Sequence, residues 1–266
     1  MTTTTYQALA VDTDGHGVTR VTLNRPAVMN AFDETMIAEL TEVLEQAGAA
    51  PSTRILVLAA TGKAFSAGAD LRWMERASTN SEEANLDDPR RFAHMMHVLQ
   101  ACPKPVIARV DGAAFGGVVG LCCACDIVIA TARAKFAVSE AKFGILPSVI
   151  GPYLINAVGK RHALRLALTG ELIDAARAFE IGLVHELAEA DQLDATVDRV
   201  IASLLANGPL ALAEVKQWFG QLHVGPITET VRAYRVGTIA RVRCTDEARE
   251  GFAAFLGKRP AAWVPA

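Results

Sequence analysis

With 266 residues and 51% hydrophobic content, the chain can bury a large core, as one big domain or as a core with a smaller appendage. Its net charge of −3, with both signs scattered along the chain, excludes the basic stripe of a nucleic-acid binder. The five cysteines are odd in number and four crowd into apolar text; Cys122-Cys-Ala-Cys125 lacks the Cys-x-x-Cys spacing and any nearby His, so they read as small hydrophobes in a reducing cytoplasm rather than as metal ligands.

The chain begins Met-Thr-Thr-Thr-Thr-Tyr, with neither a basic nor an apolar leader region, and a cytoplasmic location is expected. Short Val/Ile/Leu-rich runs at 18–23, 54–60, 105–110 and 127–130, bounded by turn residues, read as strands. Asp33 can cap a helix that places Ile37, Leu40, Leu44 and Ala47 on one face. The polar, acidic stretch 78–88 reads as a loop or a frayed helix. The uncharged run 112–125 is too short to span a bilayer, and no membrane partner is expected. Strands alternate with helices through the first two-thirds, an α/β pattern. From about Asp191 onward only helices are expected, at 201–205, 210–219, 227–243 and 246–256. The domain reading is a core over 1–200 and a helical region over 201–266.

Three segments carry possible chemistry. After the strand at 54–60, small residues at 66–69 let a ligand approach the backbone, and the N–H of Ala69 could donate to an oxyanion. Taken alone, this segment reads as a glycine turn leading into a helix capped by Asp70. In Gly112-Ala-Ala-Phe-Gly-Gly-Val-Val-Gly-Leu121, Gly116 and Gly117 fall where a buried helix begins, and uncovered N–H groups there attract negative charge. The dinucleotide pattern Gly-x-Gly-x-x-Gly is absent. In the third segment Glu140 stands among apolar residues, where desolvation would raise its pKa into the range useful for proton transfer.

In this order and spacing the segments resemble the crotonase family of enoyl-CoA hydratases and isomerases. The likeness runs from Leu23-Asn-Arg-Pro-Ala-Val-Met-Asn-Ala31 through Phe65-Ser-Ala-Gly-Ala-Asp70, the glycine run and Cys125-Asp126. It continues in Gly159-Lys-Arg-His-Ala163, Leu168-Thr-Gly170 and Ala178-Phe-Glu-Ile-Gly-Leu-Val184, and ends at Glu250-Gly-Phe-Ala-Ala-Phe-Leu-Gly-Lys-Arg259. The resemblance implies a spiral of strand-strand-helix turns, a C-terminal helical trimerisation region, and assembly as a homotrimer or dimer of trimers. It implies an acyl-CoA thioester substrate, no separate cofactor and no metal, with Ala69 and Gly117 donating to a thioester enolate and Glu140 moving the proton. Contacts to CoA are expected from Arg25, Ala27, Val28, Ala67, Asp70 and Leu71, beside Gly116, with Phe255 and Lys258 closing on the nucleotide end.

One departure stands out. Typical hydratases of the family carry a second glutamate three residues beyond the oxyanion glycine, where this chain has Gly120. The space beside Gly120 is therefore expected to be open, and a substrate's own carboxylate could project into it. The wording of 68–74, 112–121 and 139–153 resembles bacterial 3-methylglutaconyl-CoA and isohexenylglutaconyl-CoA hydratases. The leading expectation is hydration of a branched 2-enoyl-CoA, with or without a second carboxylate. The alternatives are a double-bond isomerase using Glu140 alone and a non-catalytic acyl-CoA-binding subunit. Trp73 and Met74 are candidates for the acyl pocket, Arg72 and Lys142 for a substrate carboxylate, and His94 and His97 share a helix face without an assigned role.

Overall fold

A computed structural model describes residues 6–222 and 225–265; residues 1–5, in the stretch read above as carrying no leader, lie outside them. The chain opens with an antiparallel pair, β1 (Leu9–Thr13) and β2 (Val18–Leu23), followed by α1 (Glu34–Ala49). Asp33 caps α1 by accepting from the Met36 N–H at 3.0 Å. Ile37, Leu40, Leu44 and Ala47 are buried on one face, as the spacing predicts.

A strand-strand-helix unit then repeats. β3 (Ile55–Ala60) leads to β4 (Ala64–Ser66) and α2 (Leu71–Ser78), and α3 (Asp87–Ala101) returns the chain. β5 (Val106–Val110) leads to β6 (Ala113–Phe115) and α4 (Gly117–Ala124), and β7 (Ile127–Thr131) leads to β8 (Lys135–Ala137). After these come α5 (Gly151–Thr169), β9 (Ile173–Asp174), α6 (Ala175–Glu180), β10 (Glu186–Ala188) and α7 (Leu193–Leu205). The last helices are α8 (Pro209–Gly220), α9 (Glu229–Arg243) and α10 (Asp246–Leu256). The first strand of each unit joins one sheet and the second joins another. The large sheet runs β1-β2-β3-β5-β7-β10, parallel from β2 onward, and the small one runs β4-β6-β8-β9, parallel from β4 to β8. This is the expected spiral.

The inner parallel strands are buried on both faces, which is why 55–58 and 106–108 read as continuous apolar runs. On one face Leu56, Leu58, Val106 and Ala108 pack against α1 and α3 in the main core. On the other, Val57, Ile107 and Ile129 pack against Leu193, Val197 and Ile201 of α7. Of the stretch 78–88, Ser78 ends α2, 79–83 form a bend and turns, 84–86 form one short 3-10 segment, and α3 begins at Asp87. No described helix is long and apolar enough to cross a membrane.

Candidate active site

Because β4, β6 and β8 run parallel, their three following loops emerge along one edge of the small sheet. Loops at the carboxyl ends of parallel strands are where sites form in such folds. Here they deliver Ala69, Gly117 and Glu140 to one place.

Each loop is held by contacts that leave a backbone donor over. Phe32 donates to Gly68 O at 2.8 Å and accepts from the Asp70 N–H at 2.7 Å, so Ala69 is fixed between them. The N–H of Ala69 has no partner among the described residues. Gly68 must be glycine, since its φ is +94° and a Cβ there would stand 2.9 Å from Phe115 O. Gly116, at φ +59°, gives its N–H to Ala137 O at 2.8 Å and is spent. Gly117, first residue of α4, keeps an N–H with no intrahelical acceptor. A Cβ on Gly116 would lie 3.6 Å from Glu140 Oε1 and 3.9 Å from the Cα of Gly68, which measures how closely the three loops meet.

Glu140 Oε2 is buried and has no hydrogen-bond partner among the described residues. Burial pushes its pKa above the ordinary carboxylate value, against a smaller opposing pull from its own backbone. A carboxylate with an unsatisfied oxygen beside two free N–H donors is equipped to take and return a proton while a neighbouring oxyanion is held.

The support reaches back to 25–33. Asn30 is fully buried; it accepts from the Arg25 N–H at 2.8 Å and donates to Thr61 O at 2.8 Å and Ala64 O at 3.0 Å. Met29 O then accepts from the Ala67 N–H at 2.9 Å. Sequence reasoning missed Asn30, although a lone Asn between Met and Ala before an apolar stretch was the available signal.

Two connected spaces meet at these residues. An outer cleft of about 800 Å³ is lined by Arg25, Val28, Ala67, Asp70, Leu71 and Gly116, as expected. A smaller chamber of about 150 Å³, open to solvent beside the exposed Leu146 and Ser148, adjoins it at Gly68, Ala69, Gly117, Glu140 and Trp73, all of which line both spaces. Phe32, Ile37, Phe92, Val118, Val149 and Ile150 give the chamber its apolar wall, and Glu140 is the one ionisable group in its lining. Trp73 is fixed by donating its Nε1–H to Asp88 at 2.9 Å. Met74 lines the cleft rather than the chamber.

Four residues expected to contact the substrate line neither space on the single chain. Ala27 lines neither space; the short turn at Pro26–Val28 presents Val28 instead. Phe255 and Lys258 also line neither space on the single chain, where Arg54, just before β3, donates to Trp263 O at 2.5 Å near the C-terminus. Phe255 is 81% exposed on this chain. Gly120 does not face open space. A Cβ there would lie 2.3 Å from both Cβ and Cγ2 of Ile150, so Ile150 fills the volume expected to admit a substrate carboxylate.

Arg72 lines the cleft, and its guanidinium enters no hydrogen bond or ion pair among the described residues. Lys142 lines neither space and packs over Gly170. His94 faces Glu45 at 3.2 Å away from the site. Cys102, Cys122 and Cys125 are buried, and burial pushes the neighbouring Cys123 thiol up to about 12. No group of three or more His, Cys, Asp or Glu among the described residues is placed to hold a metal ion.

Residues 13–265 match the family model for enoyl-CoA hydratase/isomerase. A putative enoyl-CoA hydratase of Thermus thermophilus is 34% identical over 92% of this chain and 96% of its own length. The 1,2-epoxyphenylacetyl-CoA isomerase of Escherichia coli is 32% identical over 91% and 93%. The crystal structure of an enoyl-CoA hydratase from Shewanella pealeana superposes with a TM-score of 0.93 at 42% identity, covering 97% of this chain and 96% of that one.

Proposed function

Since this chain belongs to the enoyl-CoA hydratase/isomerase family, we propose that it hydrates a branched 2-enoyl-CoA with Glu140 as its single proton-transfer group. The observation that carries this reading is the buried, unpartnered Oε2 of Glu140 beside the free N–H groups of Ala69 and Gly117. In the proposed step the Glu140 carboxylate takes a proton from water as the water oxygen bonds to the β-carbon. The double-bond electrons move onto the thioester oxygen, which the two N–H groups hold as an enolate. Glu140 then returns the proton to the α-carbon, so one water is added and the enzyme is regenerated. Coenzyme A belongs to the substrate and no other cofactor is needed.

A second reading, double-bond isomerisation, is favoured by the absence of any other ionisable group from the chamber lining. Moving a double bond needs one group to remove and return one proton, and no water. A non-catalytic binding subunit has less support, because an unpaired buried carboxylate costs stability without serving binding. A substrate with its own carboxylate would find no cation in the chamber; the guanidinium of Arg72 in the cleft is the group it could meet.

Incubation with 3-methylglutaconyl-CoA, crotonyl-CoA and 3-hexenoyl-CoA, followed by mass spectrometry and chromatography, separates the readings. Water gain supports hydration, rearrangement at constant mass supports isomerisation, and no turnover on any of them defeats both. The homotrimer or pair of trimers implied by the family is supported by α9, which buries no residue and exposes Val236 and Ile239. Light scattering in solution measures it.

A further inference from the structure

We propose that Ile150, seated over Gly120, is the gauge that sets how large an acyl group the chamber accepts. The proposal rests on the acyl-CoA reading above and adds the substrate size and the residue that fixes it. Ile150 precedes α5 and is held on both sides: the Gly151 N–H donates to Pro147 O at 2.8 Å, and the Leu154 N–H donates to Ile150 O at 3.0 Å. Its side chain is 1% exposed and forms part of the chamber wall. On its other side it meets α4 at Gly120, where no Cβ can be placed without coming to 2.3 Å from it. The side chain therefore has nowhere to retreat, and any acyl group reaching that wall must stop.

The chamber's volume of about 150 Å³ gives the scale. A closed apolar cavity of roughly that volume holds one benzene-sized molecule; this one is open beside the exposed Leu146 and Ser148, so the limit is on depth toward Ile150. The lining carries no cation, and Glu140 is its only ionisable group. The substrate class that follows is an uncharged acyl group that is compact in the direction of Ile150, short or branched there.

The test uses the full-length enzyme and its Ile150→Val, Ile150→Ala and Gly120→Ala variants. Ile150→Val removes only Cδ1 and guards against a misfolded Ile150→Ala. Two readouts are taken: kcat/KM on crotonyl-CoA and trans-2-octenoyl-CoA, and calorimetric Kd for the saturated butyryl-CoA and octanoyl-CoA. The preference for the eight-carbon thioester over the four-carbon one should rise by about 10-fold or more in Ile150→Ala and less in Ile150→Val, the scale of one or more methylenes gaining room in an apolar pocket. Gly120→Ala pushes Ile150 into the chamber and should lower that preference. Unchanged ratios in folded Ile150→Val and Ile150→Ala overturn the gauge. Binding without turnover overturns the catalytic assignment alone, and the Kd ratios then decide the gauge. If neither saturated thioester binds, the acyl-CoA reading falls and the gauge falls with it.

Discussion

Arg25 holds Asp33 at 2.8 Å, Nη1 to Oδ2, while the other oxygen of that carboxylate caps α1. Its second terminal nitrogen lies 3.6 Å from Asp70 Oδ2, and Asp70 caps α2. Nη1 also donates to Ala31 O at 2.6 Å. One guanidinium thus ties together two helix starts that flank the Phe32–Ala69 bridge, and much of the charge expected to meet CoA is committed inside the chain. Lysine cannot reproduce this planar fork. Arg25→Lys should lower kcat by about 10-fold or more by loosening Ala69, on the scale set by small misplacements of catalytic groups. If instead KM for the thioester rises with kcat unchanged, Arg25 acts on CoA and not on the loop.

Glu140→Gln should keep thioester affinity and cut turnover by roughly 10²–10⁴-fold, the range for a lost general acid/base. Because burial raises the pKa of Glu140, the acid limb of wild-type kcat/KM should lie above the ordinary glutamate value of 4.5. A stability consequence has a fixed sign. The native state binds this proton more tightly than the unfolded chain does, so stability is full below the unfolded value of 4.5 and is lost as pH rises from there through the raised native pKa. Glu140→Gln should therefore melt higher than wild type at neutral pH, with the gain shrinking as pH falls through the raised pKa and gone below pH 4.5. Equal melting curves at both pH values would contradict the burial argument.

The donor role of Gly117 separates from its steric role in a pair of variants. Any Cβ at 117 would press to 2.9 Å from Phe92 Cζ. Gly117→Ala adds that Cβ and keeps the N–H, whereas Gly117→Pro adds it and removes the N–H. Turnover of the proline variant should fall about 10²–10³-fold below that of the alanine variant if the N–H stabilises an enolate. Circular dichroism verifies that both fold. Equal activity in the two variants removes Gly117 from the donor pair.

What the sequence made legible follows from element length and setting. The strands at 18–23 and 55–60 were visible because six consecutive residues enter the large sheet and most are buried. β4, β6 and β8 were not, because each has only three residues, β4 and β6 beside glycines, too short for any period to register. β1 escaped because four of its five residues are exposed at the sheet edge. Ala69, Gly117 and Glu140 were legible through the ordered series of motifs that resembles the family; each segment taken alone reads as a turn, a helix start or a lone surface acid. The fit of Ile150 against Gly120 joins a position in α4 to the residue just before α5, and no local pattern encodes it.

That fit also decides whether a second carboxylate can be restored. Gly120→Glu alone forces a side chain against the Cβ of Ile150, with 2.3 Å where ordinary contact needs far more. Overpacking of this kind costs about 1–3 kcal/mol, and here it also deforms the chamber wall, so both Tm and turnover should drop. Adding Ile150→Gly removes the obstructing side chain at a position preceding α5, where glycine is well tolerated as a helix cap. The double variant should recover part of the lost Tm. With two carboxylates then facing one chamber, each raises the pKa of the other, and the acid limb of the pH profile should move upward relative to wild type. If water addition is the reaction, hydration of crotonyl-CoA by the double variant should exceed that by Ile150→Gly alone, because the new carboxylate can help hold the water. Calorimetric melting and mass-resolved product formation on all four proteins supply the comparison. A Gly120→Glu single variant that melts and turns over like wild type would show that Ile150 yields freely, and the occupied-space argument would fail.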